Sequence, residues 1–122
     1  MNRGERMRLP HTRQGQTHKV MVGTVALYIT VNVDDNGNPI EVFAKADEGH
    51  QADADGLAEL SSVLLQYGCP VDVVIKHLRY RKYPPQGTVG QPCSISDAIG
   101  RMLEQAERER EGEVLETVEG IA

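Results

Sequence analysis

The sequence predicts an α+β fold: a three-stranded antiparallel β-meander followed by two to three helices packed on one face. Three observations carry this. Leu27, Ile29, Val31 and Val33 alternate with Tyr28, Thr30 and Asn32, the pattern of a strand buried on one side only. Asn36-Gly37 stands between two strand-like runs and marks a hairpin. From residue 54 onward the apolar residues recur at helical spacing instead.

The chain has 122 residues, 39% of them hydrophobic and 25% charged. That length holds one domain with one core. Residues 1–16 have no hydrophobic period and read as an N-terminal arm. Residues 17–106 read as the α+β domain, and residues 107–122 as an acidic C-terminal tail that is expected to fray. Thr17 to Val22 forms a first strand, with Val20 and Val22 on one face. Ala26 to Val33 forms the second, and Ile40 to Ala44 the third, with Ile40, Val42 and Ala44 sharing a face. A helix is expected over Ala54 to Tyr67, its apolar stripe being Leu57, Leu60, Leu64 and Tyr67. Ser61 and Ser62 are small enough for close packing. Gly68 suits the left-handed residue that ends a helix, and Pro70 suits the start of the next, which runs to Leu78. Residues 79–92 hold three prolines and two glycines and form a long irregular loop, a kind of segment that often carries function. A last helix starts at Ser94, with Ile95, Ala98, Ile99, Met102, Leu103 and Ala106 as its apolar stripe.

Composition narrows the function classes. No apolar run approaches the ~20 residues that span a bilayer, and no apolar stretch follows the basic start of the chain. A cytoplasmic location is therefore expected. Cys69 and Cys93 have no metal-ligand spacing and read as reduced thiols. His11, His18, His50 and His77 are scattered, so neither a metal nor a cofactor is expected. The net charge of −5 argues against indiscriminate binding to nucleic acid. Ser94 is placed as an N-cap, with Asp97 three residues on in the capping-box position. No nucleophile, metal cluster or paired-acid constellation marks a catalytic residue.

Three blocks, in order, resemble the TSCPD domain family. They are the strand pair LYITVNVDDNGNPIEVFAKA, the helical block LAELSSVLLQYGCPVDVVIKHLR, and Cys93-Ser94-Ile95-Ser96-Asp97-Ala98-Ile99. The last is similar to the Thr-Ser-Cys-Pro-Asp motif that names the family, with Ile95 and Ser96 standing where that motif has Cys and Pro. The resemblance spans about Arg8 to Leu103. It implies a free-standing copy of an accessory C-terminal domain of cobalamin-dependent ribonucleotide reductases, without the reductase's catalytic parts.

Two basic segments carry the binding expectation. Arg8, Arg13 and Lys19 lead into the first strand, and His77, Arg79, Tyr80, Arg81, Lys82 and Tyr83 open the long loop. Cations bind phosphate, and the interleaved tyrosines stack on a base. His77 either caps helix carbonyls or joins the anion site. The expected function is a non-catalytic module that binds a nucleotide or nucleotide-derived ligand, or that serves a ribonucleotide reductase as an accessory. The alternatives are a structural protein acting by self-assembly or partner binding, and a protein that sequesters a nucleotide. A three-stranded sheet has two edges to hide, so a dimer or larger homo-oligomer is expected.

Overall fold

The computed structural model describes residues 4–47 and 49–121; the side chains of residues 113–121 lie outside that description. Three strands, β1 (Gln14–Val22), β2 (Val25–Val33) and β3 (Pro39–Lys45), precede three helices, α1 (Gln51–Gln66), α2 (Val71–Leu78) and α3 (Ile95–Ile121). The sheet order is β1-β2-β3, and both pairs are antiparallel. The expected meander is therefore present. β1 starts three residues before the expected Thr17, because Gln14 already pairs with Val33. A two-residue turn at Gly23-Thr24 joins β1 to β2, with Gly23 at φ 62.

The inward residues of the strands, Val22, Leu27, Ile29, Val31, Val42 and Ala44, share one core with Ile95, Ala98, Ile99 and Leu103 of α3 and Val74 and Leu78 of α2. The α3 stripe is thus the expected one. The opposite sheet face is uncovered and exposes Met21, Tyr28 and Phe43.

The buried face of α1 differs from expectation. Leu60, Leu64 and Tyr67 are exposed, and the residues that go inward are Ala54, Ala58, Ser61, Ser62, Leu65 and Gln66. The reason is the free edge of β3, whose outward backbone groups need partners. The Val42 N–H donates to Ser62 Oγ at 2.8 Å, and Gln66 Nε2 donates to the Ile40 carbonyl at 3.1 Å. Gln51 takes the Ala46 N–H at 2.6 Å and gives a hydrogen to the Ala44 carbonyl at 3.0 Å. Small side chains bring α1 close enough for its polar ones to close the edge.

α1 ends as Gly68 suggested. Gly68 has φ 89, its N–H bonds the Leu65 carbonyl, and the Cys69 N–H reaches back to the Leu64 carbonyl at 2.9 Å, the paired bonds of a Schellman turn. α3 runs to Ile121, and the ion pairs Arg108–Glu104 and Arg110–Glu107 lie along its residues 104–110. Among the described residues, no helix is long and apolar enough to cross a membrane.

Candidate functional site

The long loop between α2 and α3 is organised by one carboxylate. Ser94 caps α3 as the sequence indicated, its Oγ accepting the Asp97 N–H at 3.1 Å. The return half of a capping box is replaced. Asp97 reaches past Ser94, its Oδ2 accepting the Cys93 N–H at 2.9 Å and its Oδ1 the Tyr80 N–H at 2.9 Å. One side chain thereby fixes both ends of the loop.

Asp97 is almost fully buried. Burial alone would raise its pKa. The N–H groups of Tyr80 and Cys93, the Cys93 thiol and the Arg79 guanidinium outweigh this and hold it below the ordinary carboxylate value. Arg79 Nε lies 3.3 Å from Asp97 Oδ1 and 3.6 Å from Glu104 Oε2. It is not aligned for a hydrogen bond to either, so its attraction is one of charge. The Arg79 stem lies against Gly100, where an added Cβ would sit 3.0 Å from Arg79 Cδ and 3.1 Å from Leu78 Cβ. The Cys93 thiol donates to Asp97 Oδ2 at 3.4 Å. Burial raises the thiol pKa above its usual 9.0, and the adjacent carboxylate raises it further, so the group is a neutral thiol.

Beside this hub, a cleft of about 530 Å³ lies between α1, α2 and the start of the loop. Asp53 and Leu57 line one wall, His77, Leu78 and Arg81 another, with Tyr83 and Ser96 also lining it. Arg81 Nε donates to the His77 carbonyl at 2.6 Å, so a helix carbonyl is capped by Arg81 rather than by the His77 ring. Tyr83 is held by its oxygen, which accepts the Ser96 N–H at 3.0 Å, while Ser96 Oγ donates to the Leu78 carbonyl at 2.8 Å. The cleft offers a cation, an imidazole, an aromatic ring and one carboxylate around a volume suited to a small ligand. A cavity of about 260 Å³ beside the β2–β3 turn is lined by Asp34, Asp35 and Glu109 against Arg110, a poorer setting for an anion.

The structure brings together only some of the expected site residues. His77, Arg81 and Tyr83 share the cleft. Arg79 is turned inward onto Asp97, with its guanidinium 4.3 Å over the exposed Tyr80 ring. Lys82 is exposed on the loop. Arg13 lies at the far end of β1, roughly 30 Å of strand from the turn that meets the loop, and pairs with Glu41 at 3.2 Å. Lys19 is on the uncovered sheet face beside Tyr28. Arg8 is exposed on the arm, which α1 holds through Met7 N–H to the Gln66 carbonyl. Asp53, Leu57 and Ser96 carried no sequence signal for the cleft, since only the fold brings α1 and α3 to the loop. Ile95, at the position of the motif cysteine, is fully buried in the core.

The sequence profile of the TSCPD domain matches residues 4–107. The chain is 33% identical over 106 residues to a vitamin B12-dependent ribonucleotide reductase of Rhodopirellula baltica, covering 80% of this chain and 10% of the reductase. It is 31% identical over 97 residues to the enzyme of the same name from Agrobacterium fabrum, covering 77% of this chain and 8% of the relative. The chain thus spans about a tenth of the length of the curated relatives it matches. No solved structure gives a significant match.

Proposed function

The chain belongs to the TSCPD domain family, and we propose that it acts as a non-catalytic binding module for a nucleotide or nucleotide-derived anion, seated in the cleft between α1, α2 and the loop. The convergence of His77, Arg81 and Tyr83 on that cleft supports the reading most directly. Arg81 and His77 meet a phosphate, Tyr83 offers a ring edge or face, and Asp53 is placed to accept hydrogen bonds from a ribose hydroxyl or an exocyclic amine. Asp97 does not meet the ligand. It holds the loop from which Arg81 and Tyr83 project, through its bonds to Tyr80 and Cys93. The names of the relatives favour a ligand from nucleotide metabolism, and an accessory role beside a ribonucleotide reductase in the cytoplasm is the matching context.

The test is direct. The protein is purified natively and denatured, and the released small molecules are identified by mass spectrometry. A stoichiometric nucleotide that is lost in Arg81→Glu supports the reading. A ligand retained by that variant, or no nucleotide released and none bound on adding nucleoside mono-, di- and triphosphates, refutes it. Arg81 serves better than Arg79, because Arg79 is buried and its loss would disturb the fold.

A second reading, action through a protein partner, is favoured by one observation. Leu60, Leu64 and Tyr67 form an exposed stripe along α1, on a helix whose other side is committed to β3. Light scattering of the wild type and of Leu60→Glu tests whether that stripe joins two copies.

A further inference from the structure

We propose that the uncovered face of the sheet, separate from the cleft, binds single-stranded nucleic acid, with Tyr28 and Phe43 as stacking platforms and Lys19 and Lys45 as phosphate contacts. The strand register carries this. Tyr28 on the central strand is directly opposite Lys19 on β1 and directly opposite Lys45 on β3. Cross-strand partners point to the same side, so the ring is flanked by a cation on each side. Tyr28 is 46% exposed and Phe43 55% exposed, although both sit within regular strands. Phe43 pairs with Thr30, two residues along from Tyr28, which makes Tyr28 and Phe43 diagonal neighbours on one face, their backbones about 7–8 Å apart. Successive bases of an extended strand can occupy two such rings. Stacking of this kind accepts any base, because every base has a π-face.

Charge selects this occupant over others. The acid on this face, Glu41, is already engaged by Arg13 at 3.2 Å and by Asn32 Nδ2 at 2.9 Å. Lys19 and Lys45 form no ion pair among the described residues. Among the described residues, a chain of net charge −5 thus presents a face whose unpaired charges are both positive. A second copy stacked face to face would bring four lysines together, while the described acid of this face, Glu41, is already engaged. A polyanion carrying flat rings satisfies both features. The acidic remainder of the chain keeps the attraction local, and two phosphate contacts give log K a slope against log salt of about −1.4.

Fluorescence anisotropy of a labelled oligothymidylate of about twelve nucleotides, titrated at low salt, tests the proposal. Saturable binding is expected, weakened about tenfold by Tyr28→Ala or Phe43→Ala and abolished by Lys19→Glu with Lys45→Glu. Arg81→Glu, in the cleft, should leave it unchanged. Circular dichroism checks that each variant is folded. Should a variant fail to fold, ultraviolet cross-linking of the wild type to the oligonucleotide decides, with adducts expected on β1, β2 and β3. The proposal is overturned by absence of binding, by binding indifferent to Tyr28→Ala, by binding lost in Arg81→Glu, or by adducts confined outside the sheet. It is equally overturned if the face proves to be a homodimer contact, seen as a dimer that Phe43→Lys dissociates and that binds no oligonucleotide.

Discussion

Asp97 accepts the backbone N–H of Tyr80 at 2.9 Å, joining the first turn of α3 to the second residue beyond the end of α2. The bond spans 17 positions of sequence and, with the Cys93 N–H on the other carboxylate oxygen, pins both ends of the loop. Replacing Asp97 by Asn should therefore cost more than one hydrogen bond. An amide has one oxygen for two N–H donors, and its own NH2 would face one of them. It also leaves Arg79 buried with only Glu104 as counter-charge. Asp97→Asn is expected to lose about 3 kcal/mol of stability, read from urea unfolding, and to increase hydrogen exchange in residues 80–93.

The same carboxylate sets a pH dependence. The folded-state pKa of Asp97 is lower than its unfolded value of about 3.8. Its stabilisation is thus fully present above that unfolded value and is lost as pH falls through the folded pKa. Urea midpoints measured from about pH 7 down to about pH 2.5 should show the gap between wild type and Asp97→Asn close only at the acid end. A gap that stays constant across the range would mean that the carboxylate's charge contributes nothing.

The α1 contact with β3 makes two substitutions rank opposite to their hydrophobicity. Ser62 Oγ accepts the Val42 N–H at 2.8 Å and lies 3.0 Å from the Val42 carbonyl. Ser62→Ala leaves a buried strand edge unpaired and should cost about 1–3 kcal/mol. Leu60→Ala, on the exposed side, should change stability by no more than about 0.5 kcal/mol. Urea denaturation of the two variants in parallel checks the order.

This inversion marks the limit of what was legible in the sequence. The strands, the α3 stripe and the stop at Gly68 could be read, because each depends on local pattern: alternation along β2, spacing along α3, a positive φ. The inward face of α1 could not. Hydrophobic spacing assumes that a helix buries its largest apolar residues, whereas this one buries Ser62 and Gln66 to satisfy the backbone of β3. That demand comes from a strand some twenty residues away. The site was legible in the same uneven way. Arg81, Tyr83 and His77 meet in the cleft because they are close in sequence, while Asp53 and Ser96 join them only through the packing of α1 and α3. Arg13 and Arg79 look alike in the sequence, yet each is met by an internal acid.

Tyr80 allows the backbone of the loop to be separated from its side chain. It holds φ 64, a left-handed conformation unusual outside glycine, and its ring is exposed under Arg79. Left-handed backbone costs an L-residue about 1–2 kcal/mol, and the contact with Arg79 returns about 0.5–1 kcal/mol at an exposed site. Tyr80→Gly keeps the N–H that Asp97 needs and removes the backbone cost, but it adds freedom to the unfolded chain. These effects nearly cancel, so stability should change by less than about 1 kcal/mol. Tyr80→Val, whose branched side chain resists positive φ, should lose about 2 kcal/mol. Comparing the two by urea unfolding isolates the backbone term: equal losses would show that the ring, not the turn, supports the loop. If Tyr80→Gly also retains the ligand recovered from wild type, the cleft residues Arg81 and Tyr83 hold that ligand without the Tyr80 ring.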